Sequence, residues 1–186
     1  MEETTTQSTH PLHRATAARR IVLPGLVLGV FVALLNLAAS ASGTYTHGSW
    51  FWIVLGIELV AALWFGRLAT TSKSGTRRIM RAFRAWASVL GSFTYAAVVI
   101  AVGTWLTLTL VTPDYADVFA ELARQQYEAA SMDAEQIDAR VAEFRSQYRP
   151  HLQTGYVFVG TILTGMFFGI LPALLAAVRR ARPTDA

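Results

Sequence analysis

Residues 52–65 read WIVLGIELVAALWF, an apolar run with one carboxylate, Glu58, in its middle. An ionisable group at bilayer depth costs roughly 3 kcal/mol on an insertion scale. Such a residue turns inward, where it either ties helices together or handles protons or cations. Glu58 shares a helical face with Ala61, Ala62 and Gly66, the small side on which another helix packs. Folding 21–41 against 49–69 about the 42–48 connection places Asn36 ~6 Å shallower than Glu58 at ~1.5 Å per residue. Helical side chains lean toward their own N-termini, which closes that gap. Thr164, in the last apolar block, lies at nearly the same depth. With no Lys, Arg or His in the depth of any span, Glu58 is expected in its protonated form, donating to the Asn36 carbonyl as polar glue. The alternative use of the Glu58, Asn36 and Thr164 cluster is a proton or cation site in a small carrier.

Other chemistry is sparse. There is no cysteine, which removes disulfides and thiolate sites. His10 and His13 sit in a polar tail; His47 and His151 lie near span ends, within reach of Asp114, but without HxxxH or HxH spacing. No nucleophile elbow, phosphate-binding glycine loop or paired intramembrane carboxylate occurs. The expectation is a protein that is not an enzyme, with no metal and no cofactor.

The elements that must position Glu58 follow from composition. Of 186 residues, 53% are hydrophobic and 15% charged, too apolar for an ordinary soluble domain. The excess collects in four blocks, 21–41, 49–69, 88–111 and 155–178, each close to the ~20 residues that cross ~30 Å of hydrocarbon as a helix. Backbone groups in lipid must be satisfied internally, and no alternating pattern suggests a barrel, so the expected fold is an all-α membrane protein with four transmembrane helices. Residues 1–20 form a polar tail, 21–182 the membrane domain, and 183–186 a short C-terminal tail. The first block has features of a cleaved signal: Arg19 and Arg20 precede it, RRIVLP is similar to a twin-arginine motif, and Ala39-Ser40-Ala41 could be cut. Its length, and Gly25 and Gly29 at packing distance, favour a retained span.

Basic residues set the orientation. Arg14, Arg19 and Arg20, then Arg67, Lys73, Arg77, Arg78, Arg81 and Arg84, then Arg179, Arg180 and Arg182 flank three cytoplasmic segments. Both termini are therefore expected inside, with 42–48 and 112–154 outside. The net charge of +4 comes mainly from these arginines and speaks of anionic lipid headgroups near Arg77, Arg78, Arg81 and Arg84. No interleaved aromatic and basic surface points to nucleic acid.

Two soluble pieces remain. TRRIMRAFRAWASVL, 76–90, puts Ile79, Met80, Phe83, Trp86 and Leu90 on one face and arginines on the other, the pattern of an interfacial helix, or of a docking site for an acidic partner. Between spans three and four, 114–150 reads as an external amphipathic hairpin. Its first stripe is Tyr115, Val118, Phe119 and Leu122. The second helix starts at Asp133, with Gln136 completing a capping box and Met132 and Ile137 a staple; its stripe is Ile137, Val141, Phe144 and Tyr148. An acidic outer hairpin could receive a partner or a cation, but its acids alternate with arginines and suit a solvated face. Gly25 and Gly29, and Gly165 and Gly169, permit close helix contact within one chain, with a second copy or with a membrane-protein partner.

In 78–182, MRAFRAWASVLGSFTYA, Pro113, SMDAEQID and GTILTGMFFGILPALLAAVRR resemble a family of bacterial four-span membrane proteins known as domain of unknown function 4199. The resemblance implies a four-span architecture in the inner membrane. It supplies no catalytic residue, and Glu58 is not part of the motifs that carry it. The expected function is that of a structural or partner-binding membrane component; the alternative is a small proton- or cation-linked transporter or channel subunit using Glu58.

Overall fold

A computed structural model describes residues 11–44, 49–70 and 78–178. Seven α-helices account for nearly all of them: α1 (Pro11–Ala41), α2 (Ser49–Thr70), α3 (Arg78–Leu106), α4 (Tyr115–Ala129), α5 (Ala134–Gln147), α6 (Pro150–Phe168) and α7 (Ile170–Val178). Four stretches are long and apolar enough to cross a membrane: Arg19–Ala41, Ser49–Thr70, Arg78–Val111, and Pro150–Val178, which joins α6 to α7. The second half of the 42–48 connection with His47, the 71–77 connection with Lys73 and Arg77, His10, and Arg179, Arg180 and Arg182 lie outside the described residues.

The third span is longer than its hydrophobic block suggests. From Arg78 on, the stretch expected as an interfacial helix feeding span three forms the first turns of α3 itself, with no proline to break it and Gly91 packed against Ile21. Ile79 is 83% exposed and Phe83 is exposed, so the apolar face of these turns is not covered by the bundle. The far end of α3 widens into a π-helical turn, Thr107–Val111, closed by the Thr112 N–H donating to the Thr107 carbonyl at 3.0 Å just before Pro113.

α3 is the central post. α1, α6, α7 and α2 all pack on it, while α1 and α2 barely touch each other. α1 runs parallel to α3: Gly25 lies on the Ser92 backbone, Gly29 on Ala96 and Val99, and Ala33 on Gly103. α6 runs antiparallel, with Gly165 on the Phe93 ring and Gly169 against Trp86 and Val89. Both glycine pairs are thus used inside the chain, where the missing side chains let backbones approach. The core comprises Leu28, Val32, Ala62, Phe65, Val89, Phe93, Ala96 and Ile100. Outward faces stay apolar, as at Val27, Val60, Trp64, Val102 and Phe167, which fits lipid surroundings.

Two prolines interrupt the helical ladders. Pro24 lacks the N–H that would bond Arg20, and at the next carbonyl Ser92 Oγ donates to Ile21 at 3.1 Å. Pro172 likewise leaves the Phe168 carbonyl short, the chain bends at Gly169, and Trp86 Nε1 donates to the nearby Met166 carbonyl at 3.1 Å.

α4 and α5 form a two-helix hairpin with a small core of its own, Ala120, Ile137 and Val141, backed by Tyr127 and Met132. The α5 stripe is as expected. α4, however, turns Ala120 and Ala123 to its partner rather than Val118 and Leu122, because small side chains let the two helices close while Leu122 stays exposed. Asp133 holds the N-cap position of α5 without a side-chain cap hydrogen bond, so the expected capping box is not formed, although Met132 does pack on the cluster that contains Ile137. The turn is set from the other side. Ser131 takes φ 56°, its N–H donates to Glu128 O at 2.9 Å, and Met132 N–H donates to Tyr127 O at 3.2 Å, a Schellman closure of α4. Arg124–Asp138 at 2.7 Å and Arg145–Asp117 at 2.9 Å bridge the helices on exposed faces.

Candidate functional site

Glu58 is 6% exposed and lies on the buried face of α2 with Ala62, Phe65 and Gly66. The sequence makes that face out of small residues, so α2 can sit close enough to α3 and α7 to cover a carboxylate. Depth follows from direct contacts: Phe65 meets Phe93 edge-on at 6.3 Å, Gly165 lies on the same Phe93, and Gly66 lies on Pro172. Glu58 stands eight residues before Gly66 and Thr164 eight before Pro172 on helices that run the same way, so the two are at about the same level, ~12 Å along the axis from that contact.

The structure does not gather Glu58, Asn36 and Thr164 into one hydrogen-bonded cluster. Asn36 Oδ1 accepts from Trp50 Nε1 at 3.2 Å. Trp50 lies eight residues before Glu58 on α2, roughly 12 Å along the axis, so Asn36 is engaged well above the carboxylate. Thr164 Oγ1 donates to the Gly160 carbonyl of its own helix at 2.9 Å. Among the described residues no hydrogen bond or ion pair reaches the Glu58 carboxyl.

Trp50 and Trp86, which donate to Asn36 Oδ1 and to the Met166 carbonyl, were the polar participants that the apolar reading passed over. A signal for them existed, since an indole N–H in apolar surroundings finds an acceptor. Chemically, a lone carboxyl among aliphatic side chains can take or release one proton or hold one small cation. Among the described residues no second titratable group lies in its part of the bundle: the arginines of α1, α2 and α3 sit at one end, those of the hairpin at the other, and His151 stands at the start of α6. Among the described residues no group of three His, Asp or Glu side chains could hold a metal ion.

Outside the spans, four rings close the base of the hairpin. Phe119 stacks on Tyr148 at 5.0 Å and 14° and Phe144 on Tyr148 at 4.5 Å, while Tyr115 meets Phe119 tilted at 42°, 4.7 Å away. Burial in this stack pushes the Tyr148 phenol above its ordinary value.

No curated protein and no solved structure matches the chain. A family model does, and its match starts in span one and covers all four spans, further than the motifs of 78–182 alone reach. With residues 24–179 matched, the chain belongs to the family described as Protein of unknown function (DUF4199).

Proposed function

We propose that this is a multi-pass protein of a bacterial inner membrane, with both termini cytoplasmic, the α4–α5 hairpin external, and a structural or partner-binding role rather than an enzymatic one. One observation carries the reading: the helix directions collect Arg19, Arg20, Arg67, Arg78, Arg81 and Arg84 at one end of the bundle, and the hairpin leaves from the other. A positive end is the end retained in the cytoplasm, and it faces anionic headgroups there. The hairpin, held by its own core and two ion pairs, is the part available to another protein. Reporters fused after Arg182 and within 71–75 are expected to be cytoplasmic, and one inserted at 131–132 external. An external C-terminal reporter overturns the orientation.

A second reading has its own support. Glu58 is buried and no hydrogen bond ties it to a neighbour among the described residues, whereas helix glue needs such a tie and an ionisable group inside a span is by default a candidate for handling protons or cations. In that reading the chain is a small transporter or channel subunit, and pH-driven flux in proteoliposomes depends on Glu58.

A further inference from the structure

At its arginine end, α2 carries an apolar hollow on each flank. α1 and α2 lean on α3 instead of on each other, and the space between them is a groove of about 470 Å³ walled by Leu23, Val27 and Phe31 of α1 and Val60, Ala61 and Trp64 of α2. Its α2 wall extends from Ile57 to Leu68. That is roughly 16 Å at ~1.5 Å per residue, about half of the ~30 Å hydrocarbon layer, or the depth of one leaflet. On the other flank a cleft of about 240 Å³ lies beside the α2–α7 contact, where Gly66 sits on Pro172, and is walled further by Leu63 and Leu175, with Arg67 and Thr70 at its polar edge. A third hollow, about 490 Å³, shares Leu63 and Arg67 with the cleft and Trp64 and Leu68 with the groove, so the three adjoin one another around α2.

Charge selects the occupant. Arg67 is exposed and has no acidic partner among the described residues. Apart from Glu58, every described acid lies between 114 and 143, at the far end, and the 71–77 connection contains none. At the same end as Arg67, the Nε of Arg81 is buried without a hydrogen-bond partner among the described residues. Thr70 Oγ1 donates to the Arg67 carbonyl at 2.9 Å and fixes the last turn of α2 where the guanidinium emerges. A guanidinium offers phosphate a two-pronged set of donors, and Trp64 on the groove wall suits the region below the headgroups.

We propose that α2 holds one two-chain anionic phospholipid, one acyl chain in the α1–α2 groove, the other in the α2–α7 cleft, and its phosphate on Arg67. The site depends on the bundle and not on which way it faces, so binding of lipid to the protein in detergent tests it apart from the orientation proposed above. The purified full-length protein is delipidated in mild detergent and titrated with phosphatidylglycerol and with phosphatidylcholine, reading bound lipid by native mass spectrometry. The parent is expected to hold one phosphatidylglycerol in preference to phosphatidylcholine. Arg67→Gln lowers that preference about tenfold, the size of a lost charge-assisted contact. Arg78→Gln, exposed at the same end, leaves it unchanged. Ala61→Phe, which fills the groove, lowers occupancy by both lipids. The proposal is overturned if Arg67→Gln keeps the parent's preference, or if Arg67→Gln and Arg78→Gln lower it equally, since that is a general charge effect. It is also overturned if Ala61→Phe changes no lipid binding but abolishes a crosslinked dimer, which puts a second copy in the groove.

Discussion

Glu58 is where residue chemistry and bundle geometry meet. If its carboxyl were tied by a hydrogen bond, replacing it with an apolar side chain would strand the partner and cost about 1 kcal/mol. With Asn36 taken by Trp50 and Thr164 by its own backbone, no such partner is stranded. Glu58→Leu is therefore expected to match or exceed the parent's thermal stability in detergent, because a buried polar group without a partner is replaced by one that needs none. Glu58→Gln, which keeps a polar group but cannot exchange a proton, should not exceed Leu. A Leu variant less stable than both parent and Gln would restore the glue reading. Flux in the parent that is absent from a stably folded Gln variant would instead establish proton handling.

At the scale of elements, the hairpin shows how a turn can be set by the helix before it rather than the helix after it. α4 ends in a Schellman closure whose left-handed position is occupied by Ser131, where glycine carries no penalty for a Cβ. Ser131→Gly should therefore stabilise the hairpin by up to about 1 kcal/mol, offset in part by the freer unfolded chain, and thermal melts of the two proteins would reveal it. An equal or lower melting temperature would mean that Ser131 gains something in place that glycine lacks. The two ion pairs contribute little by comparison, since both are solvent-exposed and such pairs are worth roughly 0–1 kcal/mol.

Across the whole molecule, the small-residue motifs are spent on building the monomer around α3. A Cβ on Gly29 would stand 2.7 Å from Val99 Cβ and 3.0 Å from the Ala96 carbonyl oxygen, whereas one on Gly56 would meet nothing within 4 Å. Gly29→Leu should destabilise the fold by about 1–3 kcal/mol or more through overpacking. Gly56→Leu, facing outward, should leave stability unchanged. Crosslinking in membranes gives the independent readout: if Gly29→Leu dissolves an oligomer while the monomer melts as before, the glycines join copies instead of helices within one chain.

Composition and periodicity alone determined that the chain is helical, how many apolar stretches it has, where they lie to within a few turns, and that an amphipathic hairpin separates the third from the fourth. Those properties belong to each segment by itself, since burying a backbone in lipid requires a local helix whatever its neighbours are. The identity of Glu58 as the odd residue was equally local. Its partners were not. Whether Asn36 meets Glu58 or Trp50 depends on how far α1 slides along α2, and the glycines of α1 fix that by seating it on α3, through contacts with Ser92, Ala96 and Val99 that are about seventy positions away in the chain. The same seating parts α1 from α2 and opens the groove beside Arg67. Register and divergence arise from packing several helices on one post at once, a choice among near-equal arrangements that no single segment encodes.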